Sequence, residues 1–216
     1  MSRTRGKAQS PVPVIGITGG AGSGKSAVAQ IFRQRGARVV DADRLGHRLL
    51  RRGSRCYVKI VKAFGPGILS RRGTIDRRRL GDLVFSDSRK WRRLNRIVHP
   101  ELVRQVKTRI SRLKRSGDGP VVVDAALLAD WGLHRGMDWT IVVEAPVGIR
   151  LKRLEGKGVS RTKARGIMAA QMTAGRLRRL AGEVIDNAGT RSALKRRAGA
   201  AWSRIAKMVA KKPAML

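Results

Sequence analysis

One run constrains this chain more than any other: VIGITGGAGSGKSAVAQIF, from Val14 to Phe32. Gly19, Gly24, Lys25 and Ser26 meet the spacing G-x-x-x-x-G-K-[ST], with an apolar strand pattern before them and a helical pattern after. Each position has a physical reason. Glycines let the backbone turn tightly enough for successive N–H groups, Gly22 to Ser26, to point into one concavity. The start of the next helix adds the positive end of its dipole, so the concavity suits a phosphate chain. Lys25 reaches the outer phosphates and the Ser26 hydroxyl is a ligand for Mg²⁺. Candidate nucleotide contacts are therefore Gly20, Ala21, Gly22, Ser23, Gly24, Lys25, Ser26 and Ala27, and the expected ligand is a nucleoside triphosphate.

A strand feeding such a loop must lie in a sheet covered on both faces. Four further strand patterns agree: Ala37–Val40, Pro120–Leu128, Trp139–Ala145 and Glu183–Gly189, the first strand being Val12–Thr18. Several are nearly continuous apolar runs, as in parallel sheets buried on both sides. Helical stretches such as Lys25–Arg35, Arg89–Arg115 and Arg191–Val209 separate them. The pattern predicts an α/β fold around a parallel sheet. About eighty residues lie between the second and third strands, more than one crossover helix needs, which predicts a helical insert on the core.

ARVVDADRLGH places Asp41 and Asp43 where the second strand ends, the edge that faces the ligand crevice in an open parallel sheet. Acids make up only 14 of 216 residues, so two of them at that edge draw notice. Asp43 is the candidate to accept a proton from an acceptor hydroxyl or to hold that hydroxyl in line. Asp41 is a candidate to bind Mg²⁺ through water or to orient its neighbours, and one of the pair can instead cap the helix starting near Ala42. Asp124, ending VVVD, is a further candidate at the metal.

Forty-nine Lys and Arg against those 14 acids give a net charge of +35. That field attracts polyanions, RNA included, without sequence preference, and no RNA-reading motif accompanies it. Cys56 is the only cysteine, which excludes an intrachain disulfide and fits a reducing compartment, with a cytoplasmic location expected. No apolar run approaches the roughly 18 residues of a membrane span. The basic stretch over residues 1–13 lacks the apolar segment of a secretory signal and reads as a flexible tail, with a short organellar transit segment as the alternative.

Taken in order, GITGGAGSGKS, VVDADRLGHRL, AFGPGILSRRGTIDRRRLGDLVFSD, RRLNRIVHPEL, VSRTKARGIMAAQM and EVIDNAG resemble the dephospho-coenzyme A kinase family from Val14 to about Gly189. The resemblance implies one P-loop NTPase domain over 14–216, with a five-stranded parallel sheet, a helical acceptor-binding insert at about 64–116 and a lid at about 150–180. It implies ATP and Mg²⁺, and phosphorylation of the ribose 3′-hydroxyl of dephospho-coenzyme A. By position, Asp43 matches the proposed base and Lys25 and Ser26 the phosphate and metal groups. Asp41, Arg77 and His99 fall on the acceptor side, and Asn187 near the adenine.

The departures from that pattern cluster in the lid and the acceptor side. RLEGKGVS offers Arg153 and Lys157 where a lid arginine is expected, with Arg161 nearby. Lysine supplies charge there but not the two-pronged fork of arginine. Ile167 stands where the family has an arginine, Gly182 where it has an aspartate, and ALLAD, Ala126 to Asp130, replaces a segment with a proline and an aromatic residue. Two alternatives follow: a related kinase with another hydroxyl acceptor, or a degenerate protein that binds ATP or RNA.

Overall fold

The computed structural model describes residues 12–117 and 119–211, so most of the expected basic tail, residues 1–11, lies outside the described residues. In chain order the elements are β1 (Val14–Thr18), α1 (Lys25–Arg33), β2 (Arg38–Asp41), α2 (Ala42–Leu49), α3 (Arg55–Phe64), α4 (Arg77–Phe85), α5 (Ser88–Ser116), β3 (Val121–Asp124), β4 (Trp139–Glu144), α6 (Val147–Glu155), α7 (Arg161–Ala169), α8 (Ala174–Arg178), β5 (Glu183–Asp186) and α9 (Arg191–Lys211). Single 3₁₀ turns occupy Pro66–Ile68 and Leu133–Gly136.

The strands form one sheet in the order β2-β3-β1-β4-β5, and every pairing is parallel. All five residues of β1 are buried. The two-residue alternation of a strand sends its side chains to two different cores. Ile15, Ile17 and Val122 join Val28 and Phe32 of α1 and Leu194, Ala198 and Ile205 of α9 on one face. Val14, Val121 and Val123 join the helices between β2 and β3 on the other. Phe32 and Trp202 close the first core, their ring centroids 4.9 Å apart.

The connection from β2 to β3 is carried by α2, α3, α4 and α5 with turns between them, and its first helix starts at Ala42 directly after β2. Helix α5 is 29 residues long and passes through Pro100 without a break. Asp87 caps its start by accepting from the N–H groups of Arg89 and Lys90, and Gly117, at φ 71°, ends it in the left-handed region that glycine tolerates. Cys56 is buried against this helix, its Sγ 3.7 Å from the Ile97 carbonyl. Among the described residues no helix is long and apolar enough to cross a membrane.

Candidate active site

Strand register assembles the site. Asp41 at the end of β2 lies beside Asp124 at the end of β3, and Asp124 lies beside Ile17, next to the last residue of β1. The glycine loop leaves β1 one residue later, so its lysine and both strand-end acids meet at one edge of the sheet.

The loop is held from behind by side chains that the glycines allow to come close. Gly24, at φ 95°, precedes α1, and a Cβ there would lie 2.2 Å from Asn187 Nδ2. Gly22, at φ 78°, would meet the Arg150 backbone oxygen at 2.6 Å. In the space so left, Asn187 Nδ2 donates to the Ser23 carbonyl at 2.7 Å. Arg153 donates to the carbonyls of Gly22, Ser23 and Asn187 at 3.3, 3.2 and 2.9 Å. Arg150 Nε donates to the Ala21 carbonyl at 2.9 Å, and Gln171 Oε1 accepts from the Ala21 N–H at 2.7 Å. With its carbonyls occupied in this way, the loop keeps its remaining N–H groups for an anion.

Asn187 and Arg153 are therefore placed as clamps on the loop. The Asn187 side chain, 6% exposed, spends its amide on Ser23, and Arg153 spends its guanidinium on backbone carbonyls rather than extending from a lid. Arg150 and Gln171 were not among the sequence candidates. Gln171 carried a faint signal as the glutamine of MAAQM; Arg150 carried none, being one of many arginines.

Lys25 sits at the centre of the acids, its Nζ 3.0 Å from Asp43 Oδ2 and 3.9 Å from Asp124 Oδ1. Burial works to lower the ammonium's pKa, but Asp43, Asp124 and Asp41 together outweigh it and hold the pKa above the usual lysine value. Lys25 is thus a fixed cation throughout the neutral range. Burial raises the Asp124 carboxyl, with Lys25 and Ser26 pulling the other way. Asp124 Oδ1 is buried with no hydrogen-bond partner. A buried carboxylate oxygen without a donor, beside the Ser26 hydroxyl, is an oxygen set that a small divalent cation fits. Among the described residues no group of three or more His, Cys, Asp or Glu could hold a metal by itself. A cation there would complete its shell with phosphate and water.

The two adjacent acids divide their work. Asp41 caps α2, accepting from the Arg44 N–H at 2.8 Å. Asp43, in the first turn of α2, faces Lys25 and opens onto a cleft of about 630 Å³. Trp91, Leu94, Leu127 and Trp131 form part of its largely apolar wall, and His47 and Arg77 stand at one end. His99 is not in that lining: its ring stacks on Trp131 at 6.1 Å and its Nε2 lies 3.2 Å from the Trp131 carbonyl, so it braces the wall from outside.

On the opposite side, Ile167 of α7 and Gln171 just beyond that helix close the cleft. Lys163 of α7 pairs with Asp82 of α4 at 2.6 Å, tying the two walls together. Lys157 lies exposed in the turn after α6, and Arg161 pairs with Glu155 at 3.6 Å. Neither points its charge at the loop through any contact among the described residues. Gly182 has a local cause: a Cβ there would lie 2.6 Å from the Trp139 ring, so the indole fills the room an aspartate would need.

A glycine loop after the central strand of a β2-β3-β1-β4-β5 sheet, with its lysine turned toward a strand-end acid, places the molecule among the P-loop kinases. The sequence model of the family described as Dephospho-CoA kinase matches residues 13–192. The Dephospho-CoA kinase of Bacillus licheniformis is 40% identical over 178 residues, covering 82% of this chain and 89% of that one. The structure of TT1252 from Thermus thermophilus is 33% identical with a TM-score of 0.71, covering 90% of this chain and 98% of that one. The Dephospho-CoA kinase of Campylobacter jejuni, 21% identical, shares the fold at a TM-score of 0.66 over 90% of this chain and 98% of that one. The chain belongs to the dephospho-CoA kinase family.

Proposed function

We propose that this protein transfers the γ-phosphoryl group of ATP to the ribose 3′-hydroxyl of dephospho-coenzyme A, giving coenzyme A and ADP. One observation carries the reading beyond family membership. Asp43 stands between the Lys25 ammonium, 3.0 Å away, and an apolar cleft wide enough for an adenosine group. An acceptor hydroxyl brought down that cleft meets the carboxylate and the triphosphate loop together.

Each residue then has a distinct task. The N–H groups of Gly22 to Ser26 and the start of α1 bind the phosphates. Lys25 holds charge on the transferring group, and the acids around it keep it ionised. Asp43 orients the 3′-hydroxyl and takes its proton as the bond to phosphorus forms. Ser26 and Asp124 would hold Mg²⁺, and Asp41, beside Asp124 at the strand ends, would act on it through water. When bound, the ion would supply Lewis-acid stabilisation of the charge on the phosphate oxygens. The Trp131 and Ile167 walls exclude water, which would otherwise compete as acceptor.

The test is coupled ADP release with ATP, Mg²⁺ and dephospho-coenzyme A, beside adenosine, pantetheine and no-acceptor controls. ADP release that depends on dephospho-coenzyme A, with coenzyme A as product, is expected. Equal release with every acceptor, or none, would overturn the assignment.

A further inference from the structure

Beside the Asp43 cleft lies a second cleft, also of about 630 Å³, lined by Arg44, His47, Arg48, Arg51, Arg52 and Arg77. The two clefts share His47, Leu50 and Arg77, so they are continuous. Resting on the function proposed above, we propose that this arginine cleft holds the diphosphate of the acceptor and so fixes which hydroxyl reaches Asp43.

The first argument is charge. With 49 Lys and Arg against 14 acids, carboxylates reach only some arginines, such as Arg104, Arg178, Arg197 and Arg204. What distinguishes the present group is that five arginines line one hollow that opens into the Asp43 cleft. Among the described residues none of the five arginines of this cleft has an ion-pair partner. Five mutually repelling guanidinium groups around one concavity favour an anion that bridges them. Guanidinium forks match phosphate oxygens in pairs. A merely solvated helix face would not draw cations from three segments of chain into one hollow. Here α2 and the turn after it supply four arginines, and the start of α4 supplies Arg77. The segment between is fixed, because Leu69 and Ile75 form an antiparallel bridge and the Tyr57 hydroxyl donates to the Gly73 carbonyl at 2.5 Å.

The second argument is length. In dephospho-coenzyme A five covalent bonds separate the 3′-oxygen from the nearer phosphorus, a span of at most about 6 Å. Along α2, His47 is four residues beyond Asp43, a rise of about 6 Å, and Arg48 one residue further, about 7.5 Å. A 3′-hydroxyl at Asp43 therefore puts the diphosphate at the junction of the two clefts. The adenine is left to the apolar cleft and the pantetheine arm leads outward past Arg51 and Arg52. A 2′-hydroxyl presented to Asp43 would turn the diphosphate away from these arginines, so the cleft sets the site of phosphorylation.

Steady-state kinetics on Arg48→Gln, Arg51→Gln and the double variant test this. The expected result is a KM for dephospho-coenzyme A raised about tenfold by each change, with kcat, KM for ATP and thermal melting unchanged. Inorganic pyrophosphate is expected to compete with dephospho-coenzyme A in the wild type and to lose at least tenfold in potency against the double variant. A wild type that turns over dephospho-coenzyme A while the double variant keeps its acceptor KM overturns the cleft assignment alone. Pyrophosphate inhibition that is not competitive with the acceptor also overturns it and marks a site for a free anion. A wild type inert toward dephospho-coenzyme A overturns the function and the cleft assignment together.

Discussion

The two sides of the crevice are built on opposite principles. On the donor side the carbonyls of the loop are already satisfied: Arg150, Arg153, Asn187 and Gln171 reach the loop across more than a hundred residues of sequence, apart from the link between Arg153 and Asn187. On the acceptor side the walls are largely apolar and, among the described residues, the five arginines of the adjoining cleft have no carboxylate partner. The donor side is a rigid cradle whose shape is fixed before ATP arrives; the acceptor side is completed by its ligand. A preformed cradle lets binding energy act on the phosphates rather than on ordering the loop. An unmatched arginine cleft makes acceptor affinity depend on anionic groups far from the reacting hydroxyl.

The largest effect separates the two sides at their meeting point, Lys25 and Asp43. Lys25→Ala is expected to lower turnover by at least about 10³-fold, because it removes the charge on the transferring group. It also leaves Asp124 buried without its cation, so melting should fall as well. Asp43→Asn is expected to lower turnover by about 10² to 10⁴-fold while ATP affinity, read by isothermal titration, stays within a few-fold. Near wild-type turnover in Asp43→Asn would place the proton acceptor elsewhere and erase the boundary between the two sides.

A smaller effect tests the rigidity of the cradle. Asn187→Ala deletes the shorter of two bonds to the Ser23 carbonyl and should cost about 0.5–1.5 kcal/mol, since Arg153 still donates to that carbonyl at 3.2 Å. The loss should appear as a raised KM for ATP, with KM for the acceptor unchanged, and as a melting temperature lower by about 2–4 °C per kcal/mol. Equal changes in both KM values would show that the two sides move as one body.

The donor side was the more legible in sequence, and the reason is the range of the interactions. The loop's function resides in backbone geometry that glycines at fixed spacing dictate, so eight consecutive residues declare it. The five strands were likewise readable from local apolar runs, although β3 ends at Asp124, where the chain turns out of the sheet and Ala125 donates to the Ile17 carbonyl at 3.1 Å. What local pattern could not supply was the strand order, which sets Asp41 beside Asp124, and the clamps. Arg150 and Arg153 look alike in IRLKRLEGK; only the docking of α6 against the loop makes them donors to its carbonyls. Gly182 shows the same limit, since its lack of a side chain is explained by Trp139, 43 positions earlier in the chain.

The smallest expected effect concerns the contact that joins the lid to the acceptor side. Lys163 and Asp82 meet at 2.6 Å, with side chains 24% and 56% exposed. An ion pair that open to solvent is worth about 0.2–1 kcal/mol, too little to hold α7 against α4 alone. Gly166 adds to it by letting α7 approach, since a Cβ there would lie 3.3 Å from the Phe85 carbonyl. Lys163→Gln should therefore raise the acceptor KM no more than about fivefold, leave kcat and the ATP KM in place, and scarcely move the melting temperature. Because the pair is screened by salt, the gap between wild type and variant should narrow as ionic strength rises past about 0.15 M. The exchange Lys163→Asp with Asp82→Lys should recover most of the loss. A loss that persisted at high salt and resisted the exchange would mean that Lys163 acts on the phosphoryl group itself, and the lid would then belong to the donor side of the comparison.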